Sequence, residues 1–173
     1  MATHQISILG ANTAPDASGK VYFEPAEVAM TLGTATLGTL LVCTIQAPAG
    51  AGDCGLYATF TVPQNYVGSP VIVIKGYVAE SPSTNAIAFA AAFQPAIADN
   101  ESIEQAFDTE DTTGAITTAY TAEDLLVASI TLTPAAAFAA GDIVNLYLKR
   151  DDTDDAQTGE FHMADLLFQY ADA

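Results

Sequence analysis

Two stretches decide the fold: Ile143-Val-Asn-Leu-Tyr-Leu-Lys-Arg150 and Glu160-Phe-His-Met-Ala-Asp-Leu-Leu-Phe-Gln-Tyr170, joined by Asp151-Asp-Thr-Asp-Asp-Ala-Gln-Thr-Gly159. Val144, Leu146 and Leu148 alternate with Asn145, Tyr147 and Lys149, so they share one face of an extended chain. Ala164, Leu166, Phe168 and Tyr170 share a face in the same way. A period of two is the mark of a strand with one side on a core. The pair therefore reads as a hairpin closed by an acidic loop.

Working outward, the same pattern recurs. In Gly55–Val62, Leu56, Ala58, Phe60 and Val62 alternate with Tyr57, Thr59 and Thr61. The run Val71–Ile74 is apolar on both faces, which predicts a strand in the middle of a sheet. Ile87–Gln94 is rich in alanine, a helix former, but Ile87, Phe89, Ala91 and Phe93 alternate, and strand is the reading adopted. Residues 35–45 predict one strand or two short ones, and Leu125–Leu132 another strand. Residues 134–142 read as a loop or a single helical turn. Ser102–Asp108 and Ala115–Tyr120 are weaker strand candidates flanking the acidic turn Thr109–Gly114. Gln5–Leu9 and Lys20–Phe23 are short strands separated by a Gly/Pro/Asn/Asp/Ser-rich loop. The count is roughly nine to eleven short strands with regular turn signals. The fold class predicted is all-β, an antiparallel, jelly-roll-like β-sandwich. It forms a single domain over residues 1–173, with residues 1–19 as an N-terminal arm.

Composition narrows the function. The chain is 50% hydrophobic with a formal net charge of −17. High charge without low hydrophobicity excludes ordinary acidic disorder. The basic residues are Lys20, Lys75, Lys149 and Arg150, too few for a surface that tracks phosphates or anionic lipid. No nucleic-acid or membrane partner is expected. The start of the sequence has neither a cationic segment nor a sustained apolar run, so synthesis and retention in a cytoplasm are expected. Cys43 and Cys54 are expected to be free thiols. If 37–46 and 55–62 formed a hairpin, they would sit beyond the Cα separation of about 4.4–6.8 Å that a disulfide needs.

The search for chemistry yields one acidic constellation. Asp151, Asp152, Asp154, Asp155 and Glu160 are hard oxygen ligands of the kind calcium takes. However, Ala156 interrupts the alternation and Gly159 comes late for a helix-loop-helix calcium loop. The expected role is a charged rim that keeps the hairpin from pairing with other chains, with calcium as the alternative. The turn Asp108–Asp111 is read as a rim too. His162 is expected to be partly buried and hydrogen-bonded rather than a general base. Serine-elbow, phosphate-loop, zinc-helix and dinucleotide motifs are absent, so no catalytic residue and no cofactor are predicted. Tyr57, Tyr66, Tyr77, Tyr120 and Tyr147 fall at outward or loop positions, where a cluster would mark an interface.

Several segments together carry a resemblance: Ile6-Ser-Ile-Leu-Gly10, Ala17-Ser-Gly-Lys-Val-Tyr-Phe-Glu-Pro25, Gly55-Leu-Tyr-Ala-Thr-Phe-Thr-Val-Pro-Gln-Asn-Tyr-Val-Gly-Ser69, Leu146-Tyr-Leu-Lys-Arg-Asp-Asp-Thr-Asp-Asp155 and the closing Tyr170-Ala-Asp172. The chain resembles the small jelly-roll virion structural proteins of tailed bacteriophages, used as head decoration proteins, head fibres or appendages. The resemblance implies a non-enzymatic capsid decoration protein that self-associates, with a homotrimer favoured, and binds other virion proteins such as the major capsid protein. It also implies a virion location after synthesis in the host cytoplasm. A carbohydrate- or calcium-binding adhesion module at a fibre or tail tip is the alternative.

Overall fold

The alternation in the sequence becomes burial in three dimensions. This computed structural model describes residues 2–8, 28–29, 31–37, 40–47, 54–79, 86–94, 97–98, 101–102, 105–116, 123–151 and 153–172, and for 28–45 the backbone alone. Among them every regular element is a strand: β1 (Thr3–Ser7), β2 (Val28–Ala29), β3 (Thr31–Leu37), β4 (Leu40–Ala47), β5 (Cys54–Thr61), β6 (Tyr66–Val78), β7 (Phe89–Phe93), β8 (Asp111–Thr112), β9 (Leu126–Thr131), β10 (Ile143–Arg150) and β11 (Phe161–Asp172).

The strands form two sheets. One runs β3-β4-β11-β6-β9 with β1 also on β11; the other runs β2-β5-β10-β7-β8. The pairs nest: β7 with β8, β6 with β9, β5 with β10, and β4 with β11, each antiparallel. This is one long antiparallel ribbon rolled on itself, the jelly-roll arrangement. The predicted fold class is therefore the observed one.

Rolling corrects the hairpin reading of the two deciding strands. β10 and β11 lie in different sheets, and residues 151–160 cross the end of the sandwich instead of closing a turn. β4 and β5, for which the sequence allows a hairpin, also lie in different sheets. A period of two reports which face of a strand is buried, not which sheet the strand joins.

The core lies between the two inner faces. Leu56, Ala58 and Phe60 of β5 and Val144, Leu146 and Leu148 of β10 point into it, from paired positions. Phe60 reaches Phe168 across the gap, with ring centroids 4.7 Å apart, and Phe89 reaches Phe161 at 4.9 Å. Fully burying a Phe, Leu or Ile side chain contributes about 1.5–3 kcal/mol, so this layer holds the sheets together. In β11 the predicted face is right for Leu166, Phe168 and Tyr170 but wrong for Ala164, which is exposed. The pairing with β6 shifts register between Met163 and Asp165. This bulge lets Phe161 and Met163 point inward before it and Leu166 after it.

Val71–Ile74 sits in β6, between β11 and β9, as its double-sided burial required. Ile87–Gln94 holds β7, buried at every position. Residues 35–37 belong to β3 and 40–45 to β4, two strands paired with each other, while 38–39 lie outside the described residues. The N-terminal strand runs Thr3–Ser7, beginning earlier than the predicted Gln5–Leu9. β8 falls within the acidic turn itself rather than on either side of it. Residues 105–108 run beside β7 without forming a strand; Asp108 N–H donates to Phe93 O at 2.8 Å. Lys20–Phe23 and 117–120 lie outside the described residues.

Candidate functional site

Two regions concentrate polar chemistry, the acidic loop and the outer face of the β10 sheet. The loop is organised by Arg150. Its position in the inward series Val144, Leu146, Leu148 carries the guanidinium to the end of the core, where the residue is 3% exposed. It donates to both Asp155 carboxylate oxygens, from Nε at 2.5 Å and Nη2 at 3.1 Å. It also donates to the carbonyls of Gln157 at 2.5 Å, Gly159 at 2.8 Å and Ala47 at 3.2 Å. Ala47 belongs to the opposite sheet, so Arg150 ties the loop to both.

The predicted calcium residues are thereby distributed among protein partners. Asp155 pairs with Arg150 and accepts from the Gln157 N–H at 2.7 Å. Asp151 accepts from the Thr153 N–H at 3.2 Å. Glu160 lies 3.2 Å from His162 Nε2, while Asp154 is exposed and Asp152 lies outside the described residues. No group of three or more His, Cys, Asp and Glu side chains converges as a metal set among the described residues.

The second acidic turn is a staple. Asp111 accepts from Thr133 N–H at 2.7 Å and from its hydroxyl at 2.6 Å, and Asp108 from Ala135 N–H at 3.2 Å. These bonds join β8 to the segment after β9 across the sandwich edge. His162 is buried, stacked on Tyr77 with centroids 5.0 Å apart and within 3.3 Å of its hydroxyl, the hydrogen-bonded role expected of it. Burial, then the nearby Glu123 and Glu160 carboxylates, raise the Tyr77 hydroxyl pKa. Cys54 is a buried free thiol. Burial pushes its pKa up to about 12, against the opposing pull of Arg150.

On the outer face of the β10 sheet, alternation places Asn145, Tyr147 and Lys149 outward, opposite Thr59, Tyr57 and Gly55 of β5. β7 offers small Ala92 and Ala90 beside Tyr147 and Lys149. Gly55 admits the Tyr147 ring: a Cβ there would lie 2.6 Å from Tyr147 Cε2 and 2.8 Å from its hydroxyl. Tyr147 packs on Tyr57 with centroids 5.1 Å apart. Phe107 stacks on Tyr57 at 5.5 Å and 22° and meets Tyr147 edge-on at 6.2 Å, so the three rings form one cluster.

Beside this aromatic wall, Thr59 Oγ1 donates to Asn145 Oδ1 at 2.8 Å, Asn145 Nδ2 to Gln94 Oε1 at 2.7 Å, and Gln94 Nε2 to Gln105 O at 2.6 Å. Tyr57, Thr59, Gln94, Phe107 and Asn145 line an open recess of about 320 Å³. Lys149 is paired with Glu110 at 3.0 Å. Among the described residues the recess thus combines aromatic walls with amide and hydroxyl groups and has no charged side chain in its lining.

Tyr57 and Tyr147 were flagged in the sequence as outward tyrosines. Thr59 and Asn145 were legible as outward positions but not as a site. Gln94 and Phe107 gave no signal, because their place depends on how residues 105–110 fold back along β7.

The strand order and the nested pairing define a jelly-roll β-sandwich. No protein-family model matches the chain, and no curated protein matches it. Among solved structures it is similar to a family 30 carbohydrate-binding module at 14% identity, covering 82% of this chain and 84% of that one, with a TM-score of 0.48. It is similar to CBM27-1 of Caldicellulosiruptor saccharolyticus in complex with mannohexaose at 8% identity, covering 98% and 99%, with a TM-score of 0.43. A third likeness, to infectious bursal disease virus strain Gx, has 10% identity, covers 99% of this chain and 33% of that one, and has a TM-score of 0.40. Likenesses this distant carry no statement about what the chain binds.

Proposed function

We propose that the chain is a non-catalytic jelly-roll binding module that takes a neutral carbohydrate in the recess of the β10 sheet. The observation that carries this reading is the recess lining: Tyr57 and Phe107 beside Thr59, Asn145 and Gln94, with no formal charge among the described lining residues, in a chain of net charge −17. Such a field repels anionic ligands, and the described lining offers a cation no carboxylate. Aromatic walls with a few convergent amide and hydroxyl groups suit a ligand that is apolar on its ring face and hydroxylated at its edge. The recess is at the small end of ligand-site volumes, so one or two sugar units would fill it.

The test is affinity electrophoresis through gels containing soluble neutral polysaccharides. Retardation of the wild type, lost in Tyr57→Ala and Asn145→Ala variants that still unfold cooperatively, is the expected result. A wild type unretarded on every polymer overturns the reading.

The virion reading is a second proposal, favoured by the β9 edge of the β11 sheet. Val127 is 53% exposed there and Leu125, just before the strand, 71%. Exposed apolar residues at a sheet edge suit contact with another protein surface. On this reading the module self-associates, with a trimer favoured, and decorates a particle through its major capsid protein. Sedimentation equilibrium of the wild type against a Leu125→Lys/Val127→Lys variant tests it: a wild type monomeric at every concentration sinks it.

A further inference from the structure

The recess contains a relay whose direction is set by one backbone atom. The carbonyl oxygen of Gln105 can only accept, so the Gln94 atom 2.6 Å from it is the amide nitrogen. The Gln94 oxygen therefore faces Asn145 and takes a hydrogen bond from Nδ2 at 2.7 Å. That turns Asn145 Oδ1 toward Thr59, whose hydroxyl must donate at 2.8 Å. Flipping either amide would set donor against donor or acceptor against acceptor, so the hydrogen-bond network fixes both orientations.

The relay consumes the one hydroxyl proton of Thr59 and one N–H of each amide. What it leaves is unsymmetrical: lone pairs on Thr59 Oγ1, and a second N–H on Asn145 and on Gln94. Resting on the carbohydrate reading, we propose that this fixed polarity selects a ligand with two adjacent hydroxyl groups. One hydroxyl donates to Thr59 Oγ1, and its neighbour accepts from the second N–H of Asn145. Gln94 is a positioning residue. It sets the polarity of Asn145 and, through Gln105, holds the segment that carries Phe107 against Tyr57. A carboxylate or an ether oxygen has no proton for Thr59 and is discriminated against, as is a deoxy sugar lacking one of the pair.

The experiment uses affinity electrophoresis in soluble mannan, arabinoxylan and mixed-linkage β-glucan, each native and after periodate oxidation with borohydride reduction, which cleaves adjacent diols. Wild type, Thr59→Ser, Thr59→Val and Gln94→Glu are compared, with thermal unfolding and NMR spectra of the free proteins alongside. Thr59→Val should bind about tenfold more weakly, the effect of one lost hydrogen bond, while still unfolding cooperatively, and Thr59→Ser should restore binding. In Gln94→Glu the carboxylate cannot donate to the Gln105 carbonyl, so binding should weaken and the Phe107 ring resonances should move. Retardation of the wild type should vanish on the oxidised polymer. If the wild type binds no native polymer, the carbohydrate reading falls and this inference with it. If the wild type binds but Thr59→Val or the oxidised polymer behaves the same, this inference alone is overturned. Should Thr59→Val fail to fold, the oxidised-polymer arm on the wild type decides.

Discussion

Arg150 and Asp155 bury their side chains to 4% and 3% exposure against each other. Charges taken so far out of water hold only as a pair, and removing one leaves the other uncompensated. Arg150→Met should cost about 3–5 kcal/mol in urea unfolding, with part recovered in Arg150→Met/Asp155→Asn. The sequence carried half of this. Arg150 continues the inward series of Val144, Leu146 and Leu148, so its burial was legible. Asp155 was not, because in an acidic run nothing marks which carboxylate a buried cation will choose. Cys54 makes a second residue-scale prediction. Only a thiolate is nucleophilic, and burial has pushed this thiol to about 12. In a Cys43→Ser background, an aromatic disulfide reagent at pH 8 should leave Cys54 unmodified until denaturant is added.

At the scale of elements, β1 is joined to β11 by a ladder from Thr3↔Ala171 to Ser7↔Leu167. Its outer end is clasped by Asp172, which accepts from the Ala2 N–H at 2.6 Å and lies 2.7 Å from His4 Nε2. The Ala2 hydrogen bond first, and His4 second, hold the Asp172 carboxyl below its ordinary range. A folded-state pKa below the unfolded one contributes stability above the ordinary carboxylate value of about 3.9. That contribution is lost as pH falls through the folded-state value. Backbone amides of β1 should therefore gain exchange rate below that pH ahead of those in β6, and Asp172→Asn should remove this pH dependence by leaving β1 weakly held at every pH, as hydrogen exchange can measure. Faces of strands were legible except across the β11 bulge, because burial follows the period of two until a bulge shifts it. Sheet membership was not. A loop such as 151–160 can close a hairpin or cross a sandwich, and only the partners elsewhere in the chain decide which.

For the whole molecule, 21 acidic residues against four basic ones make the folded state repel itself. Adding salt shortens the Debye length from about 30 Å at 0.01 M to about 8 Å at 0.15 M. Tm should therefore rise with sodium chloride over that range; a flat or falling curve from differential scanning calorimetry would contradict it. The fold class was legible because strand count, turn spacing and alternation agreed with one another. The recess was not, because it gathers Thr59, Gln94, Phe107 and Asn145 from separate parts of the chain.

β11 is made after β1 to β10, yet it lies inside its sheet, between β4 and β6, and also receives β1. On the ribosome, the edges it will cover therefore wait open while β1 to β10 are already present. Emerging chains crowded on one message would expose those edges to each other. Completion of this sheet has to wait for β11, so the rate at which that segment is delivered governs how long the open edges persist.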